Sequence, residues 1–131
     1  MVPRSNLELI RELYRAFREK DDEAFRAVAA PDIEWIQNRG FPNGAVRRGA
    51  DAVIEGVFEG NRHEWEGFSY TIEEMLDAGA SVLVIGRYEG VHRRSRKAMK
   101  AAAAHVYDIK DGRVTRFRMF ADTKTIWDAM G

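Results

Sequence analysis

Three ionisable residues in two neighbouring apolar segments have the side chains that proton-transfer chemistry requires. Arg87 and Glu89 lie in the segment 81–91, and His105 lies in the next one, 99–109. Residues two apart on a strand project from the same face, so Arg87 and Glu89 are expected to point in one direction. A histidine can donate a hydrogen bond or move a proton near neutral pH. We therefore predict His105 and Glu89 as catalytic residues, with Arg87 as an orienting charge.

The pairing of these two segments decides whether the three side chains meet. If the turn between them centres near Arg96, Arg87 lies opposite His105 or one diagonal away, within reach of a long side chain. Such a group suits proton transfer next to a carbonyl, or activation of water. A structural histidine and a simple Arg87–Glu89 ion pair are the alternatives. Ionisable groups on an apolar face cost free energy unless they are paired or used.

The loop of the last hairpin decides which residues accompany His105. A two-residue Asp-Gly loop would pair His105 with Arg118. A three-residue loop over residues 110–112, with its glycine left-handed in a bulge, pairs His105 with Phe117 and brings Met119 to the same face. A one-residue slip would reverse the whole strand. We favour the three-residue loop, because an apolar wall costs less to bury than two arginines.

These candidates depend on a predicted order of helices and strands. Apolar residues recur at helical spacing or alternate at strand spacing, with turn residues between the segments. We predict helices over 7–17 (after a Ser5 capping box), 50–59 and from 123 to near 130, and a shorter second helix that Asp21 or Asp22 caps, that carries Phe25 and Val28 and that ends before Pro31. We predict strands over 32–37, 68–75, 81–91, 99–109 and 113–121, with a loop over 38–49. Two helices, a strand and a helix followed by four strands indicate an α+β fold with helices on one face of a curved sheet.

Length and composition limit the class of protein. The chain has 131 residues, a formal net charge of +0 and no cysteine, so we expect one domain over 1–131 without disulfides or thiolate metal sites. The three histidines lack metal-site spacing, and we expect neither a metal nor a cofactor.

No apolar run approaches the roughly 18 residues of a membrane span, and no signal peptide is visible, so a cytoplasmic protein is expected. The basic run 93–97 is predicted to be a solvated hairpin tip, not a nucleic-acid contact.

The end of the chain resembles the closing element of a known superfamily. Residues 105–122 form two predicted strands with a Lys-Asp-Gly turn, and the second strand stops at Asp122, which opens a helix. This pattern resembles SnoaL-like and ketosteroid-isomerase-like proteins of the nuclear transport factor two-like superfamily. The resemblance extends from the first helix to Met130. It implies a cone-shaped α+β fold, in which a curved antiparallel sheet wraps around the N-terminal helices and encloses a deep apolar pocket.

Relatives of this type place their catalytic groups differently. In SnoaL-like polyketide cyclases, a catalytic Asp closes the last strand and a His lies on the preceding one, which corresponds to Asp122 and His105. Asp122 also suits the N-cap of the last helix. Ketosteroid isomerases have an Asp base where Gln37 falls and a Tyr on the first helix where Leu13 falls, one residue before Tyr14. His105 matches their oxyanion donor.

Limonene-epoxide-hydrolase-like enzymes make a third set of demands. Their Arg-x-Asp on the third strand is matched conservatively by Arg87-Tyr88-Glu89. A second carboxylate on their last strand is replaced here by Met119. Epoxide hydrolysis by that mechanism is therefore not expected.

The resemblance implies a pocket for a small apolar or carbonyl-bearing molecule. Its predicted catalytic residues are His105, Asp122, Glu89 and Arg87, and its predicted substrate-binding residues are Tyr14, Phe17, Trp35, Gln37, Phe58, Phe117 and Met119. One hypothesis is a cofactor-free acid/base enzyme of the isomerase, cyclase or hydratase type. The other is a non-catalytic ligand-binding or dimerisation module, favoured by the replaced catalytic positions Gln37 and Met119. We also expect a homodimer through the convex sheet face, no nucleic-acid or membrane partner, and a ligand cavity of about 300 Å³ or more.

Overall fold

The computed structural model describes residues 5–131. Within that range the chain forms five short to medium α-helices, one π-helical turn and six strands that join in one sheet. These elements are, in chain order, α1 (Asn6–Arg18), α2 (Asp22–Val28), β1 (Ala29–Gln37), β2 (Val46–Arg48), α3 (Ala50–Val53), the π-helical turn (Ile54–Phe58), α4 (Glu59–Glu64), β3 (Trp65–Asp77), β4 (Ser81–His92), β5 (Ala98–Lys110), β6 (Arg113–Ala121) and α5 (Thr123–Met130).

The first two helices begin where their capping residues predict. The Ser5 hydroxyl accepts a hydrogen bond from the Glu8 amide at 3.1 Å, and the Asp21 carboxylate accepts one from the Ala24 amide at 3.1 Å. Each cap satisfies an amide that has no partner within its own helix. The apolar stripe of α1, which includes Ile10, is buried. The predicted boundaries of both helices are confirmed to within one or two residues.

The sheet is mixed, with the strand order β2-β1-β6-β5-β4-β3. The pairing of β1 with β6 is parallel, and the other four pairings are antiparallel. The prediction of a sheet that is antiparallel throughout is therefore wrong. The parallel pair joins strands that are distant in the chain, since the whole β3–β5 meander lies between β1 and β6. Helices cover the concave face, where alternate residues of β4, β5 and β6 are buried together with the inner faces of α1 and α2. None of the helices described is long and apolar enough to cross a bilayer.

The middle of the chain differs from its prediction. The predicted loop contains the short edge strand β2, whose residues are exposed or half-buried and show no apolar alternation. The predicted helix over 50–59 continues to Glu64, but α4 buries no residue, so its sequence has no hydrophobic period to read. Between α3 and α4 the π-helical turn buries Ile54, Val57 and Phe58. Such turns are rare and frequently occur at functional sites.

The register between β4 and β5 contradicts the predicted contact of Arg87 with His105. Val91 pairs with Ala98 around the turn, so Arg87 pairs with Ala102 and His105 pairs with Val84. The turn therefore centres nearer the start of the basic run than predicted, and the register moves by three residues. An odd shift reverses which residues share a face, because the side-chain period of a strand is two.

The last hairpin has the predicted face, but its loop is the two-residue alternative and not the favoured three-residue loop. Its loop has two residues, since Lys110 pairs with Arg113. Both loop residues have positive φ, 53° at Asp111 and 74° at Gly112, which is typical of an Asp-Gly hairpin turn. The register then shifts by one residue between Ile109 and Asp108. This bulge returns the side chains of β6 to the predicted face, which the two-residue loop alone would have reversed.

As a result His105 pairs with Met119, not with Phe117 or Arg118. Phe117 lies two residues earlier on β6 and therefore on the same face as Met119. The predicted apolar wall next to His105 is confirmed, although the predicted partner is wrong. A bulge with no marked sequence signal accounts for the difference.

Candidate functional site

An apolar cavity lies between α1, the π-helical turn and the concave face of the sheet. All seven predicted substrate-binding residues line it, and so do seven residues that were not predicted, namely Leu13, Val57, Asn61, Phe68, Tyr70, Tyr88 and Tyr107. Its volume is about 40 Å³. That is room for about three water-sized molecules, so the expected cavity of about 300 Å³ is not present in this structure. A larger ligand therefore has to displace wall side chains.

His105 lies in the wall of this cavity and is held at both ring nitrogens. Nδ1 is 2.6 Å from the Tyr14 hydroxyl, and Nε2 is 2.7 Å from the Tyr88 hydroxyl. The Tyr107 hydroxyl donates to that of Tyr14 at 2.9 Å. We call the series Tyr107, Tyr14, His105 and Tyr88 the tyrosine–histidine network. It joins α1 to β4 and β5 through polar side chains that are all buried.

Burial keeps the tyrosine–histidine network uncharged. Burial lowers the pKa of His105 from 6.5 to about 3, so its imidazole is neutral at pH 7. Burial also raises the pKa of Tyr88, and burial together with the neighbouring Tyr107 raises the pKa of Tyr14. The three hydroxyls therefore keep their protons, and one nitrogen of the neutral imidazole donates while the other accepts.

Counting protons shows that the network has one donor more than it can use internally. Its four members carry one polar proton each, and they share three hydrogen bonds. The tautomer of His105 decides which proton is unused: it is that of Tyr88 when Tyr14 donates to Nδ1, and that of Tyr14 when Nδ1–H donates to Tyr14. Within residues 5–131, the Tyr88 hydroxyl makes no other hydrogen bond. The network thus offers a free O–H donor at the cavity wall.

Trp35 supplies a second donor without a partner. Its indole Nε1 is buried and has no hydrogen-bond partner among the described residues. The ring stacks on Phe117 with 3.7 Å between centroids and lines the same cavity. A buried donor without an acceptor costs free energy, about 1–3 kcal/mol. Two such donors in one cavity wall favour a ligand that brings an acceptor.

Tyr70 covers the ring of His105 from the β3 side. The two rings stack with 4.2 Å between centroids, and the Tyr70 hydroxyl donates to the carbonyl of Ala103 at 2.8 Å. The ring crosses β4 at Gly86, where a Cβ atom would lie 2.8 Å from Tyr70 Cζ and 2.1 Å from the Thr71 carbonyl oxygen. A glycine is required there for this approach.

Among residues 5–131, no carboxylate lines the cavity. Gln37, which occupies the predicted position of the isomerase base, does line it, and its Oε1 accepts a hydrogen bond from Arg47 at 2.7 Å. Among residues 5–131, no group of three or more His, Cys, Asp or Glu side chains could hold a metal ion. The polar groups of the wall are neutral side chains, which can donate hydrogen bonds but are poor bases.

Arg87 and Glu89 lie on the convex face of the sheet, away from His105. Arg87 Nη1 is 3.6 Å from Glu73 and its Nε is 3.7 Å from Glu89, while Lys100 is 3.7 Å from Glu89 on the other side. The prediction that they share a site with His105 is wrong, because the register reverses their face. They form a half-exposed ion-pair cluster outside the cavity.

Asp122 lies at the N-terminus of α5 and caps it. Its two carboxylate oxygens accept from the Thr125 amide at 3.2 Å and the Thr125 hydroxyl at 2.6 Å, and these bonds lower its pKa. Asp122 does not line the cavity. Of its two predicted roles, the structure supports the cap.

Three tyrosines of the site, Tyr70, Tyr88 and Tyr107, were not predicted as binding residues. The sequence contains a signal for Tyr107, because this residue has the same parity as His105 on its strand. Tyr88 pairs with Ala101, and a run of alanines on β5 leaves space for large rings on the facing strands. Identifying Tyr88 required the register of the β4–β5 hairpin. Tyr70 could be placed only from the path of β3.

Comparison with known proteins places the chain among those of this fold. A family model described as SnoaL-like domain matches residues 10–117. A crystal structure of an NTF2-like protein of Burkholderia thailandensis is 34% identical, with a TM-score of 0.92 and 98% coverage of both chains. TerC, co-crystallised with polyporic acid, is 24% identical, with a TM-score of 0.84 and coverage of 95% of this chain and 96% of that one. IdmH of Streptomyces antibioticus, for which a polyketide cyclase role has been suggested, is 19% identical, with a TM-score of 0.80 and coverage of 96% and 98%. No curated protein matches the sequence.

Proposed function

Because the chain belongs to the SnoaL-like domain family, we propose that it is a small-molecule enzyme of the isomerase or cyclase type that works without a cofactor. Its substrate is a small apolar molecule with a carbonyl group, bound in the aromatic cavity. The chemical contribution of the protein is to polarise that carbonyl by hydrogen bonds. The apolar wall excludes water and strengthens these bonds, since they act in a medium of low dielectric constant.

The observation that carries the proposal is the surplus of hydrogen-bond donors in a wall without carboxylates. In the tautomer on which the proposal rests, Tyr14 donates to His105 Nδ1 and Nε2–H donates to Tyr88, so that Tyr88 has an unused O–H. Trp35 has an unused N–H, and both residues line the cavity. A carbonyl oxygen has two lone pairs and can accept both bonds. Each bond becomes stronger as negative charge develops on that oxygen during enolisation. In this proposal the two donors act on the same oxygen and serve as an oxyanion site.

His105 has a positioning role in this proposal, while Tyr88 touches the substrate. A pKa of about 3 and two occupied ring nitrogens make His105 a poor proton acceptor at neutral pH. Its Nε2–H instead donates to Tyr88 and makes the Tyr88 proton a better donor, as expected for a polarised chain of hydrogen bonds. The base is supplied by solvent, because the described residues place no carboxylate in the wall of the cavity.

A binding protein without turnover is the second candidate function. It is favoured by the absence of a carboxylate from the cavity wall, and by Gln37 and Met119 at positions where enzymes of related fold carry acids. The fold shared with TerC, co-crystallised with polyporic acid, supports a small organic ligand for either function.

The two functions are distinguished by an exchange experiment with acetophenone as the probe. We expect the protein to accelerate exchange of the α-protons of acetophenone with deuterated solvent, followed by NMR. Tyr88→Phe should slow this exchange by about a hundredfold, because it removes an oxyanion donor. The measurement is made on bound ligand, so that a loss of affinity is not counted as a loss of rate.

Tyr107→Phe is the matched comparison, since it removes a hydroxyl from the far end of the same network. It should slow the exchange much less than Tyr88→Phe. If acetophenone binds but the wild type and Tyr88→Phe exchange its protons equally slowly, the protein is a binding module and the enzymatic proposal is wrong.

The proposal includes a homodimer that forms through the convex face of the sheet. Ile85, Ala104 and Phe120 are paired across β4, β5 and β6, so their side chains form a row on that face. Ile85 is 38% exposed and Phe120 is 53% exposed. Contiguous exposed apolar side chains of this kind are typical of contact surfaces.

A further inference from the structure

A second, larger cavity lies directly outside the aromatic one. Its volume is about 410 Å³, and it shares three wall residues with the inner cavity, namely Phe17, Phe68 and Tyr70. We call it the vestibule. A ligand that extends from the inner cavity between these aromatic rings would place its remaining part in the vestibule.

The vestibule wall is strongly basic. Its lining includes Arg18, Lys20, Arg62 and Arg93, and no acidic residue of the part of the chain that the structure describes lines it. This concentration is notable in a chain whose formal net charge is +0. Positive charge collected around a concave surface raises the local concentration of anions.

The acidic residues nearest in sequence are engaged with other partners. Glu59 pairs with Arg62 at 2.8 Å, Glu64 lies 2.6 Å from His92, and Glu66 pairs with Arg96 at 2.9 Å. Only the first of these ion pairs involves a basic residue of the vestibule.

Two of the four basic residues are held in place, and two have no partner. The guanidinium of Arg62 lies 5.4 Å from the centroid of the Phe17 ring and donates to the Phe17 carbonyl at 2.9 Å. Arg93 donates to the Arg62 carbonyl at 3.1 Å. Within residues 5–131, the side chains of Arg18 and Lys20 make no ion pair or hydrogen bond. Their charges are thus available to a ligand.

We propose that the vestibule binds an oxyanion, either a carboxylate or a phosphate, that belongs to the same ligand whose carbonyl part lies in the inner cavity. This inference rests on the proposed function and narrows its substrate class to anionic carbonyl compounds. Guanidinium groups suit it, because their planar N–H donors match the oxygens of a carboxylate or phosphate. The anion anchors the ligand, and the shared aromatic wall spans the distance to Tyr88.

Three ketones that differ only in charge test this assignment. Acetophenone, para-acetylbenzoate and para-acetylphenyl phosphate carry the same ketone, and their affinities are measured by titration calorimetry. We expect one of the charged ketones to bind about tenfold more tightly than acetophenone at low salt, with a smaller difference at high salt. The charged ketone that binds more tightly identifies the oxyanion.

Arg18→Gln with Lys20→Gln is the decisive variant, since both side chains are exposed and unpaired. It should abolish the preference for the charged ketone and leave the affinity for acetophenone unchanged. Lys110→Gln with Arg113→Gln removes the same charge at the far end of the β5–β6 hairpin and should retain the preference. This control separates a local site from the effect of net charge.

Each other outcome overturns a defined part of the argument. If acetophenone binds and the charged ketones bind no better, or if the preference survives Arg18→Gln with Lys20→Gln, the vestibule assignment is wrong while the proposed function stands. If none of the three ketones binds, the proposed function fails and the vestibule assignment fails with it.

Discussion

At the scale of single residues, burial decides what each ionisable group can do. His105 was selected as a residue that moves protons near neutral pH, but its position between two tyrosine hydroxyls inside the core keeps it neutral. Arg87 and Glu89 neutralise each other at the surface instead. The side chains that the proposed chemistry depends on are Tyr88 and Trp35, and the indole N–H of Trp35 has no partner among the described residues.

The low pKa of His105 makes stability depend on pH. The unfolded chain binds a proton at this residue below pH 6.5, whereas the folded chain does so only near pH 3. Protonation therefore favours the unfolded state between these values. We expect the free energy of unfolding to fall as the pH falls from 6.5, by up to about 1.4 kcal/mol per pH unit from this residue, and His105→Gln should lose that slope.

Urea unfolding at a series of pH values measures this slope. His63→Gln is the control, because His63 is exposed and its replacement should leave the slope unchanged. Carboxylates contribute at lower pH, so the comparison between wild type and variant is made above their range. Parallel curves for the wild type and His105→Gln would show that His105 is not buried as a neutral group.

At the scale of elements, strand irregularities position the site. The bulge in β6 brings Phe117 and Met119 to the face of His105, although the two-residue loop alone would have turned them away. On β4, Gly86 lets the ring of Tyr70 cross the strand and stack on His105. The π-helical turn adds Val57 and Phe58 to the opposite wall.

Gly86→Ala tests the close approach of β3 and Tyr70 to β4. A Cβ atom would lie 2.1 Å from the Thr71 carbonyl oxygen, and backbone cannot move away cheaply. We expect a loss of about 1–3 kcal/mol in the free energy of unfolding, measured by urea unfolding.

Gly90→Ala on the same strand is the matched control, since the atoms nearest to its added Cβ lie at an ordinary 3.5 Å. It should leave stability unchanged or raise it by up to about 1 kcal/mol. Equal effects of the two variants would contradict the proposed constraint.

At the scale of the whole molecule, the sheet separates two surfaces of different character. The helices close the concave face around the cavity, and the vestibule opens beside the aromatic residues Phe17 and Phe68. The convex face has no helical cover and carries the exposed residues Ile85 and Phe120. A dimer through this face would bury the apolar row without obstructing the vestibule.

Ile85→Asp with Phe120→Asp tests the dimer. In sedimentation experiments we expect the wild type to be a dimer and this variant a monomer, because two carboxylates in each copy would be desolvated at the contact. Val46→Asp, an exposed apolar residue on the edge strand β2, is the control and should remain dimeric. A monomeric wild type, or a dimeric Ile85→Asp with Phe120→Asp variant, would rule out this surface as the contact.

The sequence by itself determined the α+β order and the capped helices, because hydrophobic period and capping are local signals. The resemblance of its pattern to SnoaL-like proteins predicted seven of the residues that line the cavity. The pattern at Ser5 and Asp21, for example, is complete within a few residues. Only the tertiary structure decided which residues meet His105. A turn shifted by three residues sent Arg87 and Glu89 to the convex face, and a bulge in β6 kept Met119 beside the histidine. Pairing register depends on contacts between distant strands, and because side chains alternate along a strand, an odd shift reverses a face while leaving every local pattern intact.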